Sequence, residues 1–455
     1  MNIVTFKNPT YFLKFINKGL MLRVSIYIII ASIYLAFMSQ HAPLGINWRP
    51  FQQERVLNSV EHLLSGSPLL KYGLTSWDPL PEINSSIGSQ EGIRTYVLNA
   101  YEYIAYALLS LLGGKSLLLS LGPRLDQATV AITAAVSAEL IIHLSQKRFL
   151  INNTLIGFSV FTLFISSPWS YRMMLAPSHH LHFLLFFLLS ALTFAKSMPK
   201  LGIGFYLLAA LWQYHWAFFF TLAYLGIYFA NRVINKDSNS MLYFPPGMRN
   251  KRGTLIMILL GLTPILIIAF QRLAMVTFSS GISPTNSNLL YRVGIDSITN
   301  IHHGGLLAAF QFLGGNRVTV CLLGPALPIA RTIGDANIFL YNCLFSILGM
   351  ASISLLAVIG YYYFTAEFKD ARWVTVTFVY SFVLFACIFQ QTFAVHLQGY
   401  SILFCFIFSC GMVSLFNKLM MKLKAESFSN VFIVPFTLAI AIHGVRVSYF
   451  TGING

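Results

Sequence analysis

TYVLNAYEYIAYALLSLLGG, Thr95 to Gly114, is long and apolar enough to cross a bilayer, and whether it crosses sets the sidedness of everything after it. Downstream, the loops at 146–149, 232–252 and 417–424 carry Lys147, Lys236, Lys251, Lys418, Lys422 and Lys424. Short loops with an excess of basic residues stay in the cytosol. Counting 96–114 as a crossing would send all of these loops outside. The stretch is therefore expected to lie against the outer face or to dip into it, with Glu102 near one end.

The same separation of charge runs through the whole chain. Lys7, Lys14, Lys18, Lys196, Lys200 and Lys369 join the lysines above in one set of connecting loops. The other set keeps Lys71 and Lys115 but holds Arg49, Arg55, Arg94, Arg124, Arg172, Arg292, Arg317 and Arg331. The first set reads as cytoplasmic. The second reads as a working surface turned away from the cytosol, because guanidinium grips phosphate and carboxylate through two parallel bonds, as the lysine point charge cannot.

Composition sets the class. The chain of 455 residues is 56% hydrophobic and 10% charged, against about 25% charged in a soluble domain. An all-α polytopic membrane protein is expected, in contact with membrane lipids. The net charge of +16 flanks apolar spans and forms no patch, which argues against nucleic acid as a partner. Cys321, Cys343, Cys387, Cys405 and Cys410 show no CxxC spacing, so neither a disulfide framework nor a thiolate metal site is implied.

A crossing takes about 20 apolar residues, and the hydropathy pattern predicts about eleven of them. They fall near 22–39, 126–145, 153–168, 178–195, 201–214, 216–231, 254–272, 336–364, 373–390, 398–416 and 430–447. Starting inside, this count puts the N-terminus and every lysine-rich loop in the cytosol. The basic stretch through Arg23 runs into the first apolar segment without a small-residue cleavage site and reads as a retained anchor. Residues 5–20, with Phe6, Tyr11, Phe12, Phe15 and Ile16 among lysines, are expected along the inner membrane surface. No internal repeat is visible. The chain reads as a single membrane domain, 1–455, with outer loops at 40–125 and 273–335.

The first outer loop contains WRPFQQERVLNSVEHLLSGSP, Trp48 to Pro68. Pro50 suits a first helical turn, and Val56, Leu57, Val60, Leu63 and Leu64 recur at helical spacing. This predicts an amphipathic helix resting on the membrane. Its polar face carries Glu54, Asn58 and Glu61, with Arg55 and His62 alongside. A solvated face is the plain reading. Acids are scarce, however: of 14 in the chain, Glu54, Glu61, Asp78, Glu82 and Glu91 crowd into this loop, which favours a functional one.

An acid shortly after the first span, on a helix ending in Ser-Gly, resembles the first outer loop of GT-C glycosyltransferases that use lipid-phosphate sugar donors. Protein O-mannosyltransferases and lipid A aminoarabinose transferases are similar examples. The likeness continues through Gly113-Gly114, LGPRLDQATVAITAAVSAELIIHLSQKR (Leu121 to Arg148) and SSPWSYRMM (Ser166 to Met174), and covers roughly residues 20–230. The family often shows Asp-Glu where this chain has Gln53-Glu54. The resemblance implies transfer, with inversion, of a sugar from a polyprenyl phosphate to a lipid, glycan or protein acceptor at the outer face of a bacterial plasma membrane. It implies no cofactor.

Such a transfer needs a base to take the acceptor's proton. Glu54 is the expected base, with Glu61 and Asp78 in reserve. The leaving phosphate needs positive charge as its own charge develops. Arg55, Arg124, Arg172, Arg292, Arg317 and Arg331 are candidates, each of which a headgroup would equally occupy. Family members often place a phosphate-contacting residue in a late outer loop, and His396 within FQQTFAVHLQGYS is this chain's candidate.

Trp48, Asn58, His179, His180, Trp212, His215 and Tyr400 are candidates for contacting substrate. For Trp212 and its neighbours the interfacial aromatic belt is the competing reading. His179 and His182 share a helical face and, with Glu54 or Asp78, would suit a metal; contact with substrate or headgroups is the preferred reading, and no metal is assigned. Gly304, Gly305, Gly314 and Gly315, beside His302, His303, Gln311 and Asn316, suggest a re-entrant segment in the second outer loop. Glu139, an acid within an apolar span, is expected to pair inside the bundle. Two readings of other classes stay open, a transporter or lipid flippase and a non-catalytic subunit of a membrane glycan-assembly complex.

Overall fold

The computed structural model describes residues 18–41, 47–48, 50–65, 75–76, 93–94, 99–145, 148–175, 179–212, 220–226, 228–229, 244–278, 337–375, 377 and 402–453. Helices α1 (Lys18–His41) and α2 (Pro50–Leu64) are followed by a two-residue antiparallel pairing of β1 (Thr75–Ser76) with β2 (Ile93–Arg94). Then come α3 (Asn99–Ser145), α4 (Asn153–Ile165), α5 (Pro168–Met174), α6 (His179–Ala195) and α7 (Pro199–Trp212). Helices α8 (Lys251–Phe278), α9 (Asn337–Glu367), α10 (Ile402–Lys422) and α11 (Ser429–Ile453) follow.

The protein is an all-α membrane protein. Among the described residues four helical stretches, 18–41, 105–145, 404–422 and 426–448, are long and apolar enough to cross a bilayer, and shorter apolar helices pack among them. Ile28, Ile29, Ile33 and Phe37 of α1 stand exposed, as do Val431, Phe432 and Ile442 of α11. Water would disfavour such stripes, whereas hydrocarbon is as apolar as they are.

Paired ends show that the described turns of the lysine set, near 143–152, 195, 249, 368–370 and 417–430, gather at one end of the bundle. His143 Nε2 bonds the Ala195 carbonyl at 2.9 Å, which joins the ends of α3 and α6. The backbone N–H of Leu150 donates to Asn417 and that of Asn152 to Asn430, each at 2.9 Å. The Arg249 guanidinium meets Asp370 at 2.8 Å, and Arg148 lies over the Phe368 ring. Two of the turns here close alike. Met198 N–H reaches back to Thr193 O and Ser197 N–H to Phe194 O, with Ser197 at φ 58; Ala425, Lys424, Met420 and Met421 repeat the pattern with Lys424 at φ 53. These double closures satisfy the last carbonyls of α6 and α10 and turn the chain straight into its next helix.

The stretch 96–114 has a more specific shape than the sequence suggests. Residues 105–145 cannot be one straight span, since 41 residues of helix would measure roughly 60 Å, twice a hydrocarbon core of about 30 Å. Gly113 and Gly114 leave helical geometry, Gly114 at φ 67 and ψ −165, and divide α3 into a short arm, 99–112, and a long arm, 115–145. Tyr106 on the short arm donates to Asp126 on the long arm at 2.8 Å, across 20 residues that a straight helix would hold about 30 Å apart. The chain therefore reverses at the glycines. The short arm lies alongside residues 115–126, at the end of the bundle away from His143.

Helix α2 packs into this hairpin. Trp48, Val56 and Val60 are buried against Tyr106, Ala107 and Leu118, with Leu57, Leu63, Leu109 and Leu119 at the edges. The apolar stripe expected to rest on lipid is thus covered by protein, and only Leu64 of the five stays exposed. The buried arc is wider than the stripe because it faces two helical arms, and so it also takes in Ser59 and His62. His62, read from the sequence beside the polar face, lies beneath the helix.

Candidate functional site

At the end of the bundle opposite the lysine turns, the residues around Trp48 form one connected unit. The Trp48 indole N–H donates to Asp126 Oδ2 at 2.7 Å while Tyr106 holds Oδ1, so each carboxylate oxygen has a partner. The Tyr106 ring meets the indole edge-on at 5.0 Å. Beneath the indole lies Gly122, one helical turn before Asp126, where any side chain would run into the Trp48 ring. Gln53 closes the unit from the other side, its amide donating to the Trp48 carbonyl at 2.7 Å and so tying the first turn of α2 to the residue that anchors it. A buried carboxylate demands such partners, and this one gives one oxygen to Trp48 at the entry to α2 and the other to Tyr106 on the short arm of α3.

Glu54 follows Gln53 on α2 and is exposed, as is Glu61; Asn58 and Arg55 are half-buried. Among the described residues Glu54 forms no ion pair. Arg124 is exposed and gives one N–H to Gln127 at 2.9 Å. Two positions of helix turn a side chain by about 200°, so Arg124 projects away from the side on which Asp126 holds Trp48. Glu54 and Arg124 thus sit on helices locked together at one point, without touching.

Of the expected substrate contacts, Trp48 is 2% exposed with its N–H committed to Asp126, so in this arrangement it positions α2. Trp212, at the end of α7, stacks on His182 at 5.3 Å and lies against Phe186. That places an aromatic cluster where α6 begins and α7 ends. Arg172 falls on α5, and His179 and His180 on the first turn of α6; their side chains lie outside the described residues, as do Asp78, His215, Arg292, Arg317, Arg331, His396 and Tyr400. Among the described residues no three His, Cys, Asp or Glu side chains are grouped to hold a metal.

The Ser-Pro turn is formed as its sequence suggests. Ser167 Oγ takes the Ser170 N–H at the start of α5, and both hydroxyls lie 3.3 Å from Cys405 Sγ on α10. Trp169 packs between Phe404 and Phe408. The Gly444 backbone comes up against the Ser166 carbonyl, and α5, which carries Arg172, is thereby seated on α10 and α11.

Asp126 and Tyr106 were not singled out as site residues by the sequence reading. The available signal was an acid at the lip of an apolar span, after Gly122-Pro123, since such an acid needs partners and the nearest polar aromatics lie in the first outer loop. Compared with models of known protein families and with curated proteins, the chain matches none.

Proposed function

We propose that the protein is a GT-C-like glycosyltransferase with about eleven crossings, its N-terminus in the cytosol and its working face outside a bacterial plasma membrane. It takes a sugar from a polyprenyl-phosphate donor. Glu54 removes the proton of the acceptor hydroxyl or amine as that group attacks the anomeric carbon. The bond from that carbon to the phosphate oxygen breaks with inversion, and the polyprenyl phosphate leaves with its added charge held by outer arginines, Arg124 among them. The acceptor is a lipid, glycan or protein.

One observation carries this reading: an exposed carboxylate, Glu54, stands on a helix anchored through Trp48 and Asp126 to the turn of α3 that also bears the exposed Arg124. Both groups stand at one end of the bundle, on different sides of α3, and the lysine turns lie at the other. Purified protein reconstituted with a panel of polyprenyl-phosphate sugars and acceptor extracts tests it. Release of polyprenyl phosphate, weakened by Arg124→Lys beyond what conserved charge suggests, is the expected result. Absence of turnover on every donor would overturn the reading.

A further inference from the structure

We infer that Asp126 is a positioning residue: by binding Trp48 and Tyr106 at once, it latches α2 and the short arm of α3 to the bundle and so sets where Glu54 stands. This rests on the reading of Glu54 as the base. The geometry is unusual for a mere packing contact. Asp126 belongs to the long arm, Tyr106 to the short arm beyond the Gly113–Gly114 reversal, and Trp48 to the residues leading into α2. Three separate pieces of chain therefore converge on one buried carboxylate. Without it, α2 keeps the apolar contacts of Val56 and Val60 with Tyr106 and Leu118, which hold it to the hairpin. What it loses is the polar link from its own first turn, running from Gln53 through the Trp48 carbonyl and indole, to the long arm. That link ends one residue from Glu54.

A base must lie within hydrogen-bond reach of the proton it takes, and a misplacement of about 1 Å costs on the order of 100-fold in rate. Asp126→Leu is therefore expected to lower kcat about 100-fold with the donor KM little changed, because the residue touches no substrate. Asp126→Asn, which keeps one acceptor oxygen, should recover part of the loss. In a Glu54→Gln background Asp126→Leu should cost nothing further, whereas a general loss of folding would lower both backgrounds alike.

The experiment has two arms run on the full-length protein in nanodiscs. The first measures turnover of wild type, the two Asp126 variants and the Glu54→Gln combinations with the polyprenyl-phosphate sugars above. The second measures distances between spin labels on encoded residues at Leu64, exposed on α2, and Lys200, exposed at the lysine end. A narrow distribution in wild type that broadens in Asp126→Leu is the expected result. An unchanged distribution, or an equal loss of turnover in the Glu54→Gln background, overturns the proposal. Wild type without turnover on any donor overturns the glycosyl-transfer reading and the role of Glu54 with it, and the label distances then decide the latch alone.

Discussion

Arg23 and Glu139, 116 residues apart, face each other through two hydrogen bonds of 2.7 Å, and Tyr27 adds a third to the same carboxylate at 3.1 Å. The pair joins α1 to the long arm of α3 at mostly buried positions, where the sequence leads one to expect that Glu139 finds a partner within the bundle. Tyr27 also stacks on Phe161 of α4, 4.7 Å away. The first apolar helix is thereby keyed into the bundle by a specific charge pair as well as by lipid-like packing.

Removing one member leaves the other charge uncompensated, which costs about 3–5 kcal/mol at fully buried positions and less at partly buried ones such as these. Glu139→Leu and Arg23→Met should each lower the thermal midpoint in detergent sharply, and the double variant should recover most of the loss. Equal and additive losses would show that the pair contributes no coupling.

The gathering of lysine turns at one end predicts a single accessibility pattern. Cysteines introduced one at a time at 196, 236 and 422 should resist an impermeant thiol reagent in intact cells, and those at 64, 92 and 116, the last at an exposed position just after the reversal, should react. Because α3 reverses at Gly113–Gly114, labels at 92 and 116 should agree. Opposite sidedness would make 96–114 a crossing and undo the assignment of every later loop.

Gly114 tests the reversal itself. Its φ of 67 with ψ of −165 is a region that side chains avoid, yet a Cβ there would meet nothing within 4 Å. Gly114→Ala should therefore destabilise through backbone strain alone, by about 1–3 kcal/mol. Gly204→Ala is the matched control, since that glycine is in the middle of α7 with equally open space. It should stabilise by about 0.5–1 kcal/mol. A loss at both positions would point to crowding, and the special geometry of Gly114 would not be the cause.

How far this architecture could be read in advance depended on the kind of signal. Helices α4, α6, α7, α10 and α11 fall where runs of apolar residues end at polar turns, because length and hydropathy are local properties. The shared end of the lysine turns was legible for the same reason. The seating of α2 was not: its stripe of Val56, Val60 and Leu63 says that one face is buried, but lipid and protein would satisfy it equally. Only the long-range contact of Trp48 with Asp126 decides between them, and nothing in the local spacing of either residue names the other. Glu54 is a candidate from its place on a polar face, and the structure leaves it exposed there. The anchor beneath it is not legible there, since Trp48 reads from the sequence as a residue for contacting substrate and Asp126 lies 78 residues away.

The most direct test of the account is the rate of sugar transfer by Glu54→Gln, compared with wild type at matched insertion and with the same polyprenyl-phosphate donor. A positioned base contributes about 100-fold to 10,000-fold, so a loss in that range with the fold and the Leu64–Lys200 label distance intact is the predicted result. Near-normal turnover by Glu54→Gln would contradict it and remove Glu54 as the base.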